Sequence, residues 1–324
     1  MPSRGRRVSW LGAVVCAAAL AACDMPPPDD TGSAPTVGTA PNARPAERPA
    51  AAPVVTEESA DLARYYRQVQ ADLLARGLLR TDGGGPDTPF TDTDLLRNFE
   101  RIAFYDEYQR DGTLTPSDGR QGRLKRWETP VRMSVEFGAS VDPAIRTTDR
   151  NEVILYARRL ARLTGHPISV GSGPANFHVF VMGEDDRPAL PGRIRQIAPR
   201  ISDRALDIFR TLPRSIHCLV VALTDEAGGS SYTRAIALVR AEHPDLTRQS
   251  CYHEELAQGL GLANDSPFAR PSIFNDDDEF ALLTTHDEML LTMLYDPRLR
   301  AGMSADEARP ILRQIARELT GGES

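Results

Sequence analysis

The order of strand-like and helical patterns between residues 131 and 265 most restricts what this chain can fold into. Residues 131–137 alternate between apolar and polar side chains, as a half-buried strand does. Three apolar runs predict further strands, and two stretches of helical periodicity predict helices among them. The predicted strands are 131–137, 177–182, 218–223 and 235–239, and the helices are 151–163 and 202–212. With one more helix after the last strand, this order predicts an α+β fold with a mixed sheet and a long helix that follows the sheet strands and carries the candidate site.

A small helical segment, residues 57–115, is predicted to precede this sheet. Apolar side chains recur at helical spacing between residues 62 and 74, and Gly77 follows where that helix would end. Further along, Thr91 and Asp94 have the spacing of a capping pair at the start of a second helix. We expect the aromatic side chains of both helices to pack in the core.

The most informative helix follows the last predicted strand and includes Cys251. At about 100° per residue, Tyr252, Leu256 and Leu260 form an apolar stripe that faces the core. The opposite side of the helix carries polar side chains, namely Glu254, Glu255 and Gln258. The pattern therefore predicts that acidic and amide groups gather on one face.

The series Glu254-Glu255-x-x-Gln258-x-x-Gly261 resembles the signature His-Glu-x-x-His-x-x-Gly of the metzincin zinc peptidases. In that family two histidines one helical turn apart bind zinc, and the glutamate activates the metal-bound water. The resemblance places Glu254 and Gln258 at the histidine positions and Glu255 at the general-base position. It also implies a zincin-like fold, because the preceding order of helices and strands is similar.

Beyond the helix, the third zinc ligand of that family lies three residues after the glycine. Asn264 has this position here, and Asp265 stands beside it. Zinc favours imidazole and thiolate ligands over carboxylates and neutral amides. None of the six histidines is followed by another histidine four residues later. The resemblance therefore implies a zincin-like domain with a degenerate site, and we assign it no zinc.

The alternative to zinc at this site is a cation that prefers oxygen ligands. Glu254, Gln258 and Asp265, with carbonyl groups or water, could hold calcium or magnesium. The acidic run 275–279 could do so too, although it lacks the spacing and the glycine of an EF-hand loop. For both places an interpretation without a bound cation is favoured. The helix that carries Glu254 and Gln258 is interpreted as a relic site whose polar side chains form hydrogen bonds with their neighbours. The acidic run is interpreted as a solvated loop or the start of a helix.

A second resemblance covers more of the chain. Three sequence segments between Cys251 and Met303 are similar to an uncharacterised family of bacterial envelope proteins. They are EELAQGLGLANDS, SIFNDDDEF and LYDPRLRAGM. That family is classed only as a domain of unknown function. The resemblance spans most of residues 120–320, which we take as the bounds of the main domain, and it implies no activity.

Two cysteines, Cys218 and Cys251, lie within this domain. An even pair in an exported chain favours a disulfide between them. The alternative is two buried free thiols, because cysteine packs well as a small apolar side chain.

The first 22 residues are typical of a secretory signal peptide, with arginines followed by a short apolar run that ends in small residues. Leu20-Ala21-Ala22-Cys23 resembles the lipobox of bacterial lipoproteins, in which the cysteine is acylated after cleavage in front of it. An ordinary signal peptide cut nearby is the alternative. Acyl chains on Cys23 would hold the protein at a membrane. Asp24 resembles an inner-membrane retention signal of enteric bacteria.

Residues 23–56 are rich in proline and alanine and contain no aromatic side chain. Such a stretch cannot bury enough apolar surface to fold, so we predict a disordered tether. Removal of residues 1–22 takes away three arginines and changes the net charge from −7 to −10. An acidic chain disfavours nucleic acid as a partner.

These features predict a lipid-anchored protein of the bacterial cell envelope that faces the periplasm. The favoured function is a non-catalytic zincin-like domain with a binding or structural role towards an envelope protein or peptide. The alternative is a metal-dependent hydrolase or peptidase of the envelope with an atypical metal site.

Overall fold

The computed structural model describes residues 55–107, 117–226 and 228–322, and a five-stranded sheet lies at the centre of this part of the chain. Its strands are β2 (Val131–Phe137), β3 (Ile168–Val170), β4 (Phe177–Met182), β5 (Cys218–Leu223) and β7 (Arg234–Arg240). Two short strands, β1 (Arg126–Trp127) and β6 (Ser231–Tyr232), pair separately. The strand order in the larger sheet is β3-β2-β4-β7-β5.

Four neighbouring strands of this sheet run parallel, and the edge strand β5 runs antiparallel to β7. The register pairs Val179 with Ala237 and Val220 with Ala237, so β7 lies between β4 and β5. β4 and β7 are buried along almost their whole length because other elements cover both faces of the sheet. The predicted α+β fold with a mixed sheet is thus confirmed.

Eight α-helices surround the sheet in the described residues. They are α1 (Glu57–Ala75), α2 (Asp92–Ala103), α3 (Pro143–Thr164), α4 (Leu190–Ile197), α5 (Asp203–Arg210), α6 (Asp245–Gln258), α7 (Thr285–Leu294) and α8 (Ala305–Thr320). A 3-10 helix precedes α4 at Glu184–Ala189. The main hydrophobic core includes side chains of α3, α6, α7 and α8, whereas a smaller core joins α4 and α5 to the other face of the sheet.

The two N-terminal helices pack against this domain. Leu95, Phe99 and Ile102 of α2 are fully buried in the main core. Thr91 and Asp94 form the predicted capping box, in which the Asp94 amide donates to Thr91 Oγ1 and the Thr91 amide donates to Asp94 Oδ2. In α1, Tyr66 is 1% exposed and its hydroxyl donates to the Arg214 carbonyl oxygen.

Helix α3 begins earlier than the apolar periodicity predicts. Asp142 caps it by accepting a hydrogen bond from the Ala144 amide at 2.7 Å, and Pro143 occupies the first helical turn. Proline suits that position because its missing N–H would have had no helical partner. The first turn points to solvent, so hydrophobic spacing alone gives no sign of it.

The described residues contain no helix that is both long and apolar enough to cross a membrane. The predicted signal peptide, the predicted lipidation at Cys23, Asp24 and the predicted tether up to residue 54 lie outside the described residues.

Candidate functional site

Three side chains with possible ligand atoms share one face of α6. Cys251, Glu254 and Glu255 are separated by three and four residues, the spacing that brings side chains to the same side of a helix. The predicted core stripe on the helix is confirmed, because its three members are at most 1% exposed: Tyr252, Leu256 and Leu260. α6 is the next element after β7, and it packs against the edge strand β5.

Gly261 allows the chain to turn sharply after α6. Its φ angle is +133°, a conformation that side chains rarely adopt. A β-carbon at this position would also collide with the carbonyl oxygen of Lys125. The glycine of the degenerate motif therefore has a local structural reason, independent of any metal.

A disulfide joins the start of this site to the edge strand. Cys218, the first residue of β5, is bonded to Cys251 on α6, and their α-carbons are 5.9 Å apart. The predicted pairing is confirmed. The bond fixes the ligand face of α6 against the sheet, so the positions of Glu254 and Glu255 depend on it.

The side chains of Glu254 and Glu255 come close to this disulfide. A carboxylate oxygen of each and the sulfur of Cys218 all lie within 4.8 Å of one another. No other set of three such side chains meets this condition in the described ranges. Gln258 and Asp265 form the other half of the site, with Gln258 Nε2 donating to Asp265 Oδ1 at 3.4 Å.

These acidic groups are withdrawn from solvent without opposite charges to balance them. Glu255 is 3% exposed, and its Oε2 atom has no hydrogen-bond partner among the described residues. Glu254 and Asp265 are partly buried. None of the three carboxyl groups makes an ion pair with an arginine, lysine or histidine in the part of the chain that the structure describes.

Burial is the main cause of a raised pKa at all three carboxyl groups. The pKa of Glu254 is raised well above its ordinary value by burial and then by the charge of Asp265. The pKa of Glu255 is raised by burial and by Glu254, and that of Asp265 by burial and by Glu107. The neutral, protonated acids are therefore favoured well above the pH at which a solvated carboxyl group ionises.

Asn264, from the motif, and the neighbouring His253 lie in separate hydrogen-bonded positions. Asn264 is 7% exposed, and its amide nitrogen donates to the carbonyl oxygens of Arg101 and Asp265. His253 turns away from the carboxyl groups, because its Nδ1 accepts from the Leu283 amide and its ring stacks on Tyr156. Burial lowers the pKa of His253 to about 3.

A histidine and an aspartate in the first turn of α7, His286 and Asp287, are bound in other positions. His286 is fully buried with its Nε2 3.1 Å from Asn98 Nδ2. Asp287 caps α7 and accepts hydrogen bonds from Ser272, Ile273 and Thr284. Each side chain thus has a structural role in its own neighbourhood.

The acidic run 275–279 forms a loop. Glu279 pairs with Arg270 and Arg80, at 2.6 and 3.1 Å, and Asp277 accepts from the Glu279 amide at 2.9 Å. Asp278 has a φ of +57° and lines a small cavity beside the disulfide. The run is therefore fixed by ion pairs and local turns.

The positions that the metzincin resemblance would assign to the ligands do not fit a catalytic zinc. Zinc sites of that class need imidazole ligands, and the motif supplies Glu254, Gln258 and Asn264 in their place. The neutral amides of Gln258 and Asn264 are poor ligands for zinc, which favours imidazole and thiolate. No step of a peptidase reaction follows from this arrangement.

Two features of the site could not be predicted from the residues of the motif. Glu107 adds negative charge to the carboxyl groups of α6, although it lies more than 140 residues earlier in the chain. A cavity of about 60 Å³ lies between α1, β5 and α6 and is lined by Tyr66, His217, Asp278, Glu254 and both disulfide cysteines. These residues come from distant parts of the chain, and tertiary packing together with the disulfide brings them to one place.

The comparisons with known proteins give one result. Residues 92–314 match the family model described as "Protein of unknown function (DUF2927)". The matched region begins at the first residue of α2 and covers more than half of the chain. No curated protein and no solved structure matches the chain. The resemblance to an uncharacterised family, expected from three sequence segments in residues 251–303, is thereby confirmed. The chain belongs to the family described as Protein of unknown function (DUF2927).

Proposed function

We propose that this protein is a lipid-anchored protein of the bacterial cell envelope whose zincin-like domain is non-catalytic and has a binding or structural role. The observation that carries the proposal is the state of Glu255. A general base must be ionised and must reach a water molecule. Glu255 is 3% exposed, and burial raises its pKa, so it is a poor candidate for this task.

The zincin-like part of the proposal is supported by the order of the elements. A mixed sheet with one antiparallel edge strand, β5, is followed by α6, which carries the degenerate motif. After α6, Gly261 turns the chain towards Asn264 and Asp265. This order matches what the motif resemblance implies, whereas the replaced histidines argue against peptidase chemistry.

The anchor is supported by the sequence around Cys23. The arginines, the apolar run and Leu20-Ala21-Ala22-Cys23 together resemble a lipoprotein signal. Binding through the domain to an envelope protein or peptide would fit a tethered position. Its acidic charge disfavours nucleic acid as the partner.

Peptide cleavage tests the catalytic part. The purified full-length protein in detergent would be incubated with a mixed peptide library and, in turn, with zinc, calcium and magnesium. We expect no cleavage and no stoichiometric metal in the untreated protein by elemental analysis. Metal-dependent cleavage that is lost in Glu255→Gln and kept in Glu226→Gln, a change at an exposed glutamate, would establish a metal-dependent hydrolase instead.

Lipid labelling tests the anchor. Cells that express the protein would be fed an alkyne-labelled fatty acid, and its incorporation would be compared between the wild type and Cys23→Ala. We expect labelling to disappear in Cys23→Ala and to persist in Cys16→Ala, which changes the other cysteine of the N-terminal region. Equal labelling of both variants would exclude acylation at Cys23.

A further inference from the structure

The disulfide and the two carboxyl groups of α6 form a set of potential ligands around one point. Cys218 Sγ and one oxygen each from Glu254 and Glu255 lie within 4.8 Å of one another. Cys251 is bonded to Cys218, so the second sulfur lies next to this set. One sulfur and two carboxylate groups, from a strand end and a helix face, are thus already assembled, and the second sulfur is adjacent to them.

Two further observations indicate that this point could accept an ion. The cavity of about 60 Å³ is lined by both cysteines, Glu254 and His217, so there is space beside the ligand atoms. The Oε2 atom of Glu255 is buried and has no partner within the described residues. A buried acceptor without a partner is costly, and a bound cation would satisfy it.

We propose that reduction of the Cys218–Cys251 disulfide converts this cluster into a binding site for a divalent cation of the zinc class, with the two thiolates and the carboxylates of Glu254 and Glu255 as ligands. The site differs from the zincin-like one, because its sulfur ligands come from β5 and the middle of α6. It goes beyond the proposed function and does not depend on the zincin resemblance.

The chemistry balances with a dithiol as the reductant. A thiolate of the dithiol attacks one sulfur of the disulfide, and its second thiol completes the exchange, so the dithiol is oxidised to a disulfide and both cysteines become thiols. Zinc then replaces the proton of each thiol, and two protons leave to solvent. Glu254 and Glu255 coordinate as carboxylates, releasing any proton that they held.

The backbone geometry suits such a site. Ligand sulfurs on a tetrahedral zinc lie about 3.8 Å apart, which follows from Zn–S bonds of about 2.3 Å. Cysteines whose α-carbons are 5.9 Å apart can reach that separation by side-chain rotation.

Thiolate ligands favour zinc over calcium and magnesium. An oxygen-only site from Glu254, Glu255 and Asp265 is less well formed. Within the described ranges, these three carboxyl groups do not meet the 4.8 Å condition that Cys218 meets with the two glutamates. The preformed set is therefore the one that contains sulfur.

Metal titration of the reduced and oxidised protein tests the proposal. The full-length protein in detergent would be reduced with dithiothreitol, freed of it without oxygen, and titrated with zinc chloride by calorimetry and with cobalt by absorption. We expect one equivalent of zinc and a thiolate-to-cobalt charge-transfer band in the reduced protein, and neither in the oxidised protein. Glu254→Gln and Glu255→Gln should each weaken zinc binding by about tenfold or more, whereas Glu226→Gln should not.

Three results would overturn the proposal: no stoichiometric zinc in the reduced protein, equal binding in the oxidised protein, or unchanged affinity in both glutamine variants. Loss of the helical circular dichroism signal on reduction would also overturn it, because an unfolded chain cannot hold this site. None of these results bears on peptide cleavage by the untreated protein, so they leave the proposed function standing.

Discussion

Arg248 and Asp149 form a buried ion pair that joins α6 to α3. Arg248 Nε lies 2.8 Å from Asp149 Oδ2, and the two side chains are 3% and 4% exposed. The hydroxyl of Tyr252 donates to the same carboxylate oxygen at 2.8 Å. Because Tyr252 and Arg248 are both on α6, a single aspartate of α3 fixes the orientation of the helix that carries the candidate site.

Asp149→Ala should destabilise the domain by about 3 kcal/mol, because it leaves the buried Arg248 guanidinium without its buried ion-pair partner. Urea unfolding of residues 51–324, which form one compact unit, would measure this change. The matched control is Asp245→Ala, which removes the second carboxylate from Arg248. Its side chain is 90% exposed, so the loss should stay below about 1 kcal/mol. Equal losses in the two variants would contradict the importance of burial.

Gly261→Ala should be strongly destabilising for two reasons. The backbone has a φ of +133°, and the new β-carbon would collide with the Lys125 carbonyl oxygen. We expect a loss of more than about 2 kcal/mol in the free energy of unfolding, as for other strained backbone positions.

Gly192→Ala is the matched control for that change. Gly192 lies inside α4, and a β-carbon there would have no neighbour within 4 Å. Alanine should therefore stabilise the protein by up to about 1 kcal/mol through its higher helix propensity. A loss of stability in Gly192→Ala, or none in Gly261→Ala, would contradict an open space beside Gly192 and a close contact at Gly261.

The sequence was sufficient to predict the sheet, because apolar alternation is a local property. Residues 131–137, 177–182 and 218–223 form strands over the predicted bounds. It was also sufficient to predict the disulfide and the apolar stripe of α6. The three-residue strand β3 was missed, since its residues are only partly buried and carry no long pattern.

The candidate site was harder to predict, for a physical reason. Helical periodicity assigned Glu255 and Gln258 to a polar face, which usually means a solvent-exposed one. In the structure both are buried, at 3% and 7% exposure. Periodicity indicates which side chains share a face, but the elements that cover the face come from distant parts of the chain, such as Glu107.

Removal of the disulfide should cost the oxidised protein about 3–4 kcal/mol, because the bond closes a loop of 33 residues that would be freer in the unfolded chain. The double change Cys218→Ala and Cys251→Ala would be compared with the wild type by urea unfolding. Under reducing conditions the difference between the two proteins should shrink. If it persists unchanged after reduction, lost packing of the sulfur atoms would explain it in place of the covalent link.

Glu255→Gln should change how stability depends on pH. The pKa of Glu255 is raised in the folded state, so the folded protein holds this proton at pH values where the unfolded chain has released it. Its contribution to stability is fully present below the ordinary pKa of 4.5 and is lost as the pH rises towards the folded-state pKa. In that window the wild type should lose about 1.4 kcal/mol per pH unit more than a variant that cannot ionise.

Urea unfolding of residues 51–324 at a series of pH values from about 4 to 8 would measure this difference, since the window begins near the ordinary pKa of glutamate. Glutamine has nearly the same shape as glutamic acid, so packing changes little and the variant should become relatively more stable as the pH rises. Glu226→Gln, at an exposed position, should follow the wild type. Parallel curves for wild type and Glu255→Gln would mean that Glu255 ionises as a solvated carboxylate does. That result would also remove the main argument against Glu255 as a general base.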